Sequence, residues 1–95
     1  MLNSDDSVVT VRVRDVPDVG VVARTEEAIR RVFTDVPTRG RWTVSLGASD
    51  TRGRWDIVLT GPAERHVLSF TSPRDRVPDL AAEYVKRAIA RLKGR

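Results

Sequence analysis

The sequence predicts an α+β domain, a two-layer sandwich in which a four-stranded, mostly antiparallel sheet carries two helices on one face. Two observations lead to this class. Four short segments alternate apolar and polar residues, as half-buried strands do. Two longer segments repeat apolar residues at helical spacing, one between the first two strands and one at the end of the chain. The predicted order of elements is therefore β-α-β-β-β-α.

Each predicted strand has one apolar and one polar face. The apolar residues alternate within four segments, residues 9–13, 42–46, 55–59 and 66–70. Short, glycine-containing connections join the last three strands, which predicts antiparallel hairpins between them. The first strand reaches the second through a helix, so it can lie parallel to a neighbour. Trp42 and Trp55 fall on the apolar side and are predicted to lie in the core.

The polar face of the sheet is predicted to be a solvated one. It is mildly basic, with Arg12, Arg14, Arg41 and Arg54, and it carries no aromatic residue. Proteins that read RNA on a sheet stack its bases on aromatic side chains. We therefore do not expect this face to bind RNA in that way, and the sequence leaves any other use of it open.

The first helix is predicted to begin at Thr25. Threonine can cap a helix, and Glu26 and Glu27 would suit the positive end of the helix dipole. Residues 36–40 contain a proline and a glycine, so they are expected to end this helix.

The last predicted helix and the approach to it carry the net charge of the chain. Two starts fit within residues 72–79, because Ser72 and Asp75 could each act as the cap. Seven basic and three acidic side chains lie in residues 74–95, whereas residues 1–73 hold ten of each. The formal net charge of +4 at pH 7 is therefore assigned to this region.

Composition excludes several classes of protein. The 95 residues suffice for one domain, read here as a loose leader at residues 1–7 and a single α+β domain at 8–95. Cysteine is absent, which excludes a disulfide framework and a thiolate metal site. The polar, acidic first residues differ from a signal peptide, and no apolar run approaches the length of a membrane span. We expect a cytoplasmic protein without a membrane partner.

Few residues could carry out chemistry. His66 is the only histidine, and its alternation with Leu68 and Phe70 places it at the edge of the core. No second metal ligand or carboxylate partner is spaced to serve it. Residues 47–53 include glycine and serine but lack the lysine and the strand–helix order of a phosphate loop. The sequence therefore predicts no enzyme, no metal and no cofactor.

Two helical segments carry a family resemblance. Residues 25–33 read Thr-Glu-Glu-Ala-Ile-Arg-Arg-Val-Phe, and residues 85–93 read Val-Lys-Arg-Ala-Ile-Ala-Arg-Leu-Lys. Together with the predicted order of elements, they resemble the first and last helices of the short ribosome hibernation-promoting factors. Those small cytoplasmic proteins have this topology and resemble double-stranded RNA-binding domains in shape. In architecture the resemblance covers residues 8–93.

The resemblance implies a non-enzymatic factor that binds the small ribosomal subunit in its decoding region and inhibits translation in stasis. Rigid helices would present Arg and Lys to rRNA phosphates and release counterions. The candidate RNA-binding residues are the basic residues of the two helices and of the approach to the second: Arg24, Arg30, Arg31, Arg74, Arg76, Lys86, Arg87, Arg91 and Lys93.

Two other functions remain open at the level of sequence. A double-stranded RNA-binding-like module would read the shape of a structured RNA, with Arg74 and Arg76 as a basic cluster at the start of the last helix. A protein-interaction or regulatory subunit would bind an acidic partner or self-associate through a sheet edge. The sequence does not specify an oligomeric state.

Overall fold

The computed structural model describes residues 8–36, 38 and 40–93. Within these ranges the chain forms a four-stranded sheet and two α-helices, which confirms the predicted α+β class and the order β-α-β-β-β-α. The elements are β1 (Val8–Arg14), α1 (Val19–Asp35), β2 (Arg41–Ala48), β3 (Arg54–Thr60), β4 (Arg65–Thr71), a 3₁₀ turn (Arg74–Arg76) and α2 (Val77–Lys93). The predicted leader at residues 1–7 lies outside the described residues.

The four strands are arranged in the order in which they occur along the chain. β1 pairs parallel with β2, and the pairs β2–β3 and β3–β4 are antiparallel, as the short connections predict. β1 and β4 are the two edge strands of this sheet. A parallel neighbour for β1 requires a crossover connection, and α1 supplies it.

One face of the sheet forms the core together with both helices. The pairing register aligns the alternate apolar residues of neighbouring strands, so that Val11 is opposite Val44 and Leu46 is opposite Ile57. The inward positions predicted for Trp42 and Trp55 are confirmed, since both side chains are buried. The indole N–H of Trp55 donates to the carbonyl of Ser72 over 3.0 Å, which ties the end of β4 to β3. No helix in the described ranges is long and apolar enough to cross a membrane.

The predicted start of α1 at Thr25 is wrong. The helix begins six residues earlier, at Val19, and the side chain of Asp18 caps it by accepting the N–H of Val21 over 3.1 Å. Thr25 is fully buried inside the helix, and its hydroxyl donates to the carbonyl of Val21 over 2.7 Å. Glycine and valines in residues 19–22 are poor helix formers. Burial of Val21 in the core outweighs that preference.

The end of α1 and the approach to α2 agree with what the sequence predicts. α1 ends at Asp35 with Val36 in an extended conformation, as residues 36–40 predict. At the other helix, the choice left open within residues 72–79 resolves into a 3₁₀ turn that runs directly into α2. Ser72 does not cap either element through an accepting side chain; its hydroxyl donates to the carbonyl of Pro73 over 2.7 Å.

The cap at Asp18 generates a first prediction. Replacing Asp18 with Ala leaves the N–H of Val21 without its acceptor and should lower the free energy of unfolding by about 1 kcal/mol. Urea denaturation measures the change. Asp50→Ala, in an exposed turn, is the control and should be nearly neutral. Equal stability of the two variants would contradict the cap.

A second prediction concerns Gly61, which lies against the ring of Trp42. A Cβ at this position would come within 2.7 Å of a ring carbon of Trp42. Gly61→Ala should therefore cost about 1–3 kcal/mol in stability and alter the fluorescence of the indole. Gly47→Ala is the matched control, because a Cβ there meets nothing closer than 3.7 Å. A Gly61→Ala protein as stable as the control would show that the ring packs elsewhere.

Candidate nucleic-acid interface

The second half of α2 presents a cluster of cations to solvent. Lys86, Arg87 and Arg91 are all exposed. At about 100° per residue, they span an arc of about 140° on the helix. The opposite side of the same turns is anchored in the core by Val85 and Ile89, neither of which is exposed at all. Core packing therefore fixes the direction in which these cations point. We call Lys86, Arg87 and Arg91 the α2 cluster.

Two contacts hold the guanidinium group of Arg87 in place. It pairs with the carboxylate of Glu83 one turn earlier at 3.0 Å, and it lies 5.7 Å from the centre of the Tyr84 ring. Both partners of the ion pair are more than half exposed, so its contribution to stability is a few tenths of a kcal/mol, about 0.3–0.5. Within the described residues, neither Lys86 nor Arg91 forms an ion pair. The cluster is therefore available to an anionic ligand.

Lys93 is the last residue of α2. Its side chain lies outside the described part of the structure.

The three candidate arginines of α1 do not extend the α2 cluster into one patch. Arg30 lies on the side of α1 that faces β1, where it donates to the carbonyl of Val9 over 3.4 Å. Arg31 pairs with Glu27 at 3.1 Å. Arg24 donates to a backbone carbonyl one turn earlier in its own helix, over 3.3 Å. Arg30 thus points toward β1, and the exposed contacts of Arg24 and Arg31 lie within α1 itself.

Arg24 and Arg31 line a groove between α1 and the beginning of α2. The groove holds about 230 Å³ and is also lined by three carboxylates, those of Glu27, Asp75 and Asp79. Carboxylates outnumber guanidinium groups there, which disfavours phosphate. The groove is therefore a poor site for RNA, although two of the predicted residues lie in it.

Arg74 and Arg76 lie on the 3₁₀ turn and are exposed. Since an α-helix rises about 1.5 Å per residue, Arg76 and Arg91 are about 22 Å apart along the axis of α2. The predicted residues therefore fall into groups on α1, on the 3₁₀ turn and on the second half of α2, and the first two meet at the groove that Asp75 also lines. The α2 group has three exposed cations and one ion-paired carboxylate, that of Glu83.

The open face of the sheet is the basic surface that sequence reasoning underestimated. Its side chains include one carboxylate, that of Asp56, which lies 3.9 Å from Nε of Arg54 and accepts the hydroxyl of Ser69 over 2.8 Å. Against this one acid, the face displays five exposed arginines, Arg12, Arg14, Arg41, Arg54 and Arg65. Acidic residues elsewhere in residues 1–73 balance these arginines in the formal count but not in space.

Alternation was the signal that could have revealed this face. The strand pattern places four of the five arginines outward, but a charge count by segment conceals them. Arg65 is not among these four, because the predicted fourth strand begins at His66. In the register, Arg65 pairs with Thr60 at the end of β3.

His66 keeps the position predicted for it, half-buried on the core side of β4 opposite Leu59. The expectation that no carboxylate partner is spaced to serve it is wrong, because its Nε2 lies 3.3 Å from a carboxylate oxygen of Glu64, two residues earlier. The described residues contain no group of three or more side chains that could hold a metal ion.

Comparison with known proteins identifies no relative of this chain. No protein-family model matches the chain, and no curated protein matches it. The resemblance to the ribosome hibernation-promoting factors therefore stays a prediction. The function has to be inferred from the residues of this chain.

Proposed function

We propose that this protein is a non-enzymatic, cytoplasmic RNA-binding factor that docks the α2 cluster on the phosphates of structured RNA, with the small ribosomal subunit as its target. One observation carries the proposal: Lys86, Arg87 and Arg91 are exposed side by side on a helix whose other side is buried in the core. Rigid placement of several cations is what phosphate binding requires, because RNA offers regularly spaced charges.

The α2 cluster would bind by exchanging its solvent and salt ions for phosphate oxygens. Each phosphate neutralised by Lys or Arg releases condensed counterions, which favours binding at low salt. Guanidinium groups such as those of Arg87 and Arg91 suit phosphate because their N–H groups can donate in pairs. The exposed pair of Arg87 with Glu83 is weak and can open toward a phosphate at little cost.

The choice of the small subunit depends on the family resemblance. The β-α-β-β-β-α order agrees with the order of elements that the resemblance implies. A compact domain that occupies an RNA channel would inhibit translation by excluding other ligands, without any chemical step. The polar face of the sheet lacks aromatic residues, which argues against base stacking and for recognition of the phosphate backbone.

Neutralising the α2 cluster together with Lys93 tests whether this side of α2 binds RNA. Changing Lys86, Arg87, Arg91 and Lys93 to Gln should weaken binding to isolated small ribosomal subunits at least roughly tenfold. The slope of log K against log salt should fall by about three, since four contacts are removed. The melting temperature should change little, because these changes remove at most weak surface interactions. Binding is measured by filter retention at several salt concentrations.

The open face of the sheet provides a control with the same loss of charge. Changing Arg12, Arg14, Arg41 and Arg54 to Gln also removes four positive charges, but leaves the α2 cluster intact. This variant should bind nearly as well as the original protein. Equal affinity of the α2 variant and the original protein would contradict the proposal. Loss of binding in the sheet variant alone would place the RNA on the opposite face.

Co-sedimentation tests the target. The tagged protein should migrate with small ribosomal subunits on a sucrose gradient at low salt, and this association should decrease as salt is raised. Nuclease treatment should release it. Protein that stays at the top of the gradient in both salts would eliminate the ribosome as target. Preference for a plain A-form RNA duplex over subunits would instead favour the double-stranded RNA-binding-like function.

A further inference from the structure

Among the described residues, no strand pairs with the outer edge of β4. At the two ends of the β3–β4 pair, Gly61 donates to the carbonyl of Glu64 and Ser72 donates to the carbonyl of Gly53. In an antiparallel pair the hydrogen-bonded residues alternate, so the even-numbered residues of β4 bond to β3. The odd-numbered residues then direct N–H and C=O groups away from the sheet. These residues are Arg65, Val67, Ser69 and Thr71.

This edge lacks most of the protection that natural edge strands usually have. β4 contains no proline or lysine, its one arginine, Arg65, lies at its first position, and its register with β3 is continuous over seven residues, without a bulge. Val67, near its centre, is 63% exposed. At the other edge of the sheet, by contrast, Arg30 donates to the outward carbonyl of Val9. Within the part of the chain that the structure describes, the β4 edge is therefore free to pair with another strand.

A groove runs between the β4 edge and α2. It holds about 220 Å³, and its apolar part is formed by Leu68, Tyr84 and Ala88. Arg87 and Arg91 line the same groove from the helix side. The Tyr84 ring stacks on Phe70 of β4 with 5.3 Å between ring centres, which holds the wall of the groove in place. We call this space the β4–α2 groove.

We propose that an extended acidic peptide of a partner protein adds to β4 as a fifth strand, with alternate side chains in the β4–α2 groove. Strand addition satisfies the outward backbone groups and supplies affinity, whereas the groove supplies specificity. Successive side chains of an added strand point to opposite faces, so every second one enters the groove. An apolar side chain there contacts Leu68 and Ala88, and a carboxylate meets Arg87 and Arg91. The inference goes beyond RNA binding and does not depend on it.

Charge favours an acidic partner over a second copy of the chain. Two copies paired through β4 would place their α2 helices on the same face of a continuous sheet, near the twofold axis. Arg87 and Arg91 of both copies would then face each other across that axis, and like charges at short range repel. An acidic peptide converts the same two arginines into an attraction.

The probe for the test is the fluorescein-labelled nine-residue peptide Val-Thr-Glu-Thr-Val-Thr-Glu-Thr-Val, followed by fluorescence anisotropy. Its valines and glutamates all lie on one face of the extended chain, so both kinds of side chain can enter the groove together. The peptide should bind the full chain, and a peptide with lysine in place of glutamate should bind at least about tenfold more weakly. Arg91→Glu should reverse that preference. This reversal tests whether the side chains of the peptide enter the β4–α2 groove, and it leaves β4 unchanged.

Val67 supplies a matched pair of variants for the edge itself. Val67→Pro removes one outward N–H but none of the bonds to β3, and should weaken peptide binding at least about tenfold. Val67→Thr keeps the N–H and the β-branched shape, and should bind normally. Circular dichroism checks that both variants fold; if Val67→Pro does not, the charge reversal at Arg91 decides.

Three results would overturn the inference: no binding of the acidic peptide, equal binding by Val67→Pro and the original protein, or equal affinity for the acidic and basic peptides. Sedimentation that shows a dimer lost in Val67→Pro would assign the edge to a second copy instead. RNA binding should be unchanged in Val67→Pro, because Val67 lies outside the α2 cluster. The peptide proposal and the RNA proposal can therefore fail separately.

Discussion

Packing of α2 on the sheet is the interaction on which the rest of the molecule depends. Val77, Ala81, Val85 and Ile89 follow one side of the helix, and none of them is exposed. Burial of the side chains of Val77, Val85 and Ile89 stabilises the fold by about 1.5–3 kcal/mol each. It also sets the rotation of α2 about its axis. The outward direction of the α2 cluster and the width of the β4–α2 groove both follow from that rotation.

The two proposed ligands share part of one surface. Arg87 and Arg91 belong to the α2 cluster and also line the β4–α2 groove. An RNA phosphate and a peptide carboxylate would therefore exclude each other at these two guanidinium groups, although the backbone edge of β4 takes part only in peptide binding. Competition of this kind is reciprocal, so an acidic partner would lower the affinity for RNA by the same factor by which RNA lowers the affinity for the partner.

The alternating pattern of the strands predicts most of the fold. The candidate site is harder to predict, because the sequence does not show which charges lie together in space. The inward residues of all four strands follow from alternation, because one-sided burial imposes a period of two. The start of α1 does not, since Val19 and Gly20 are exposed and have poor helix propensity. The cap at Asp18 and the burial of Val21 stabilise this first turn. Counting charge along the chain found the α2 cluster. It hides the arginines of the sheet, because acidic residues near them in sequence lie elsewhere in space. The family resemblance adds Arg24 to the candidate residues, although Arg24 lies in a different groove, between α1 and the beginning of α2.

The order of the elements along the chain has a consequence for biosynthesis. Ribosomal synthesis runs from the N-terminus, so all four strands are made before α2. Until Val77, Ala81, Val85 and Ile89 follow them, the apolar side of β3 and β4 lacks the helix that buries it. The nascent chain therefore exposes an aggregation-prone surface for as long as α2 is missing. A chain truncated before α2 would be a substrate for chaperones and proteases.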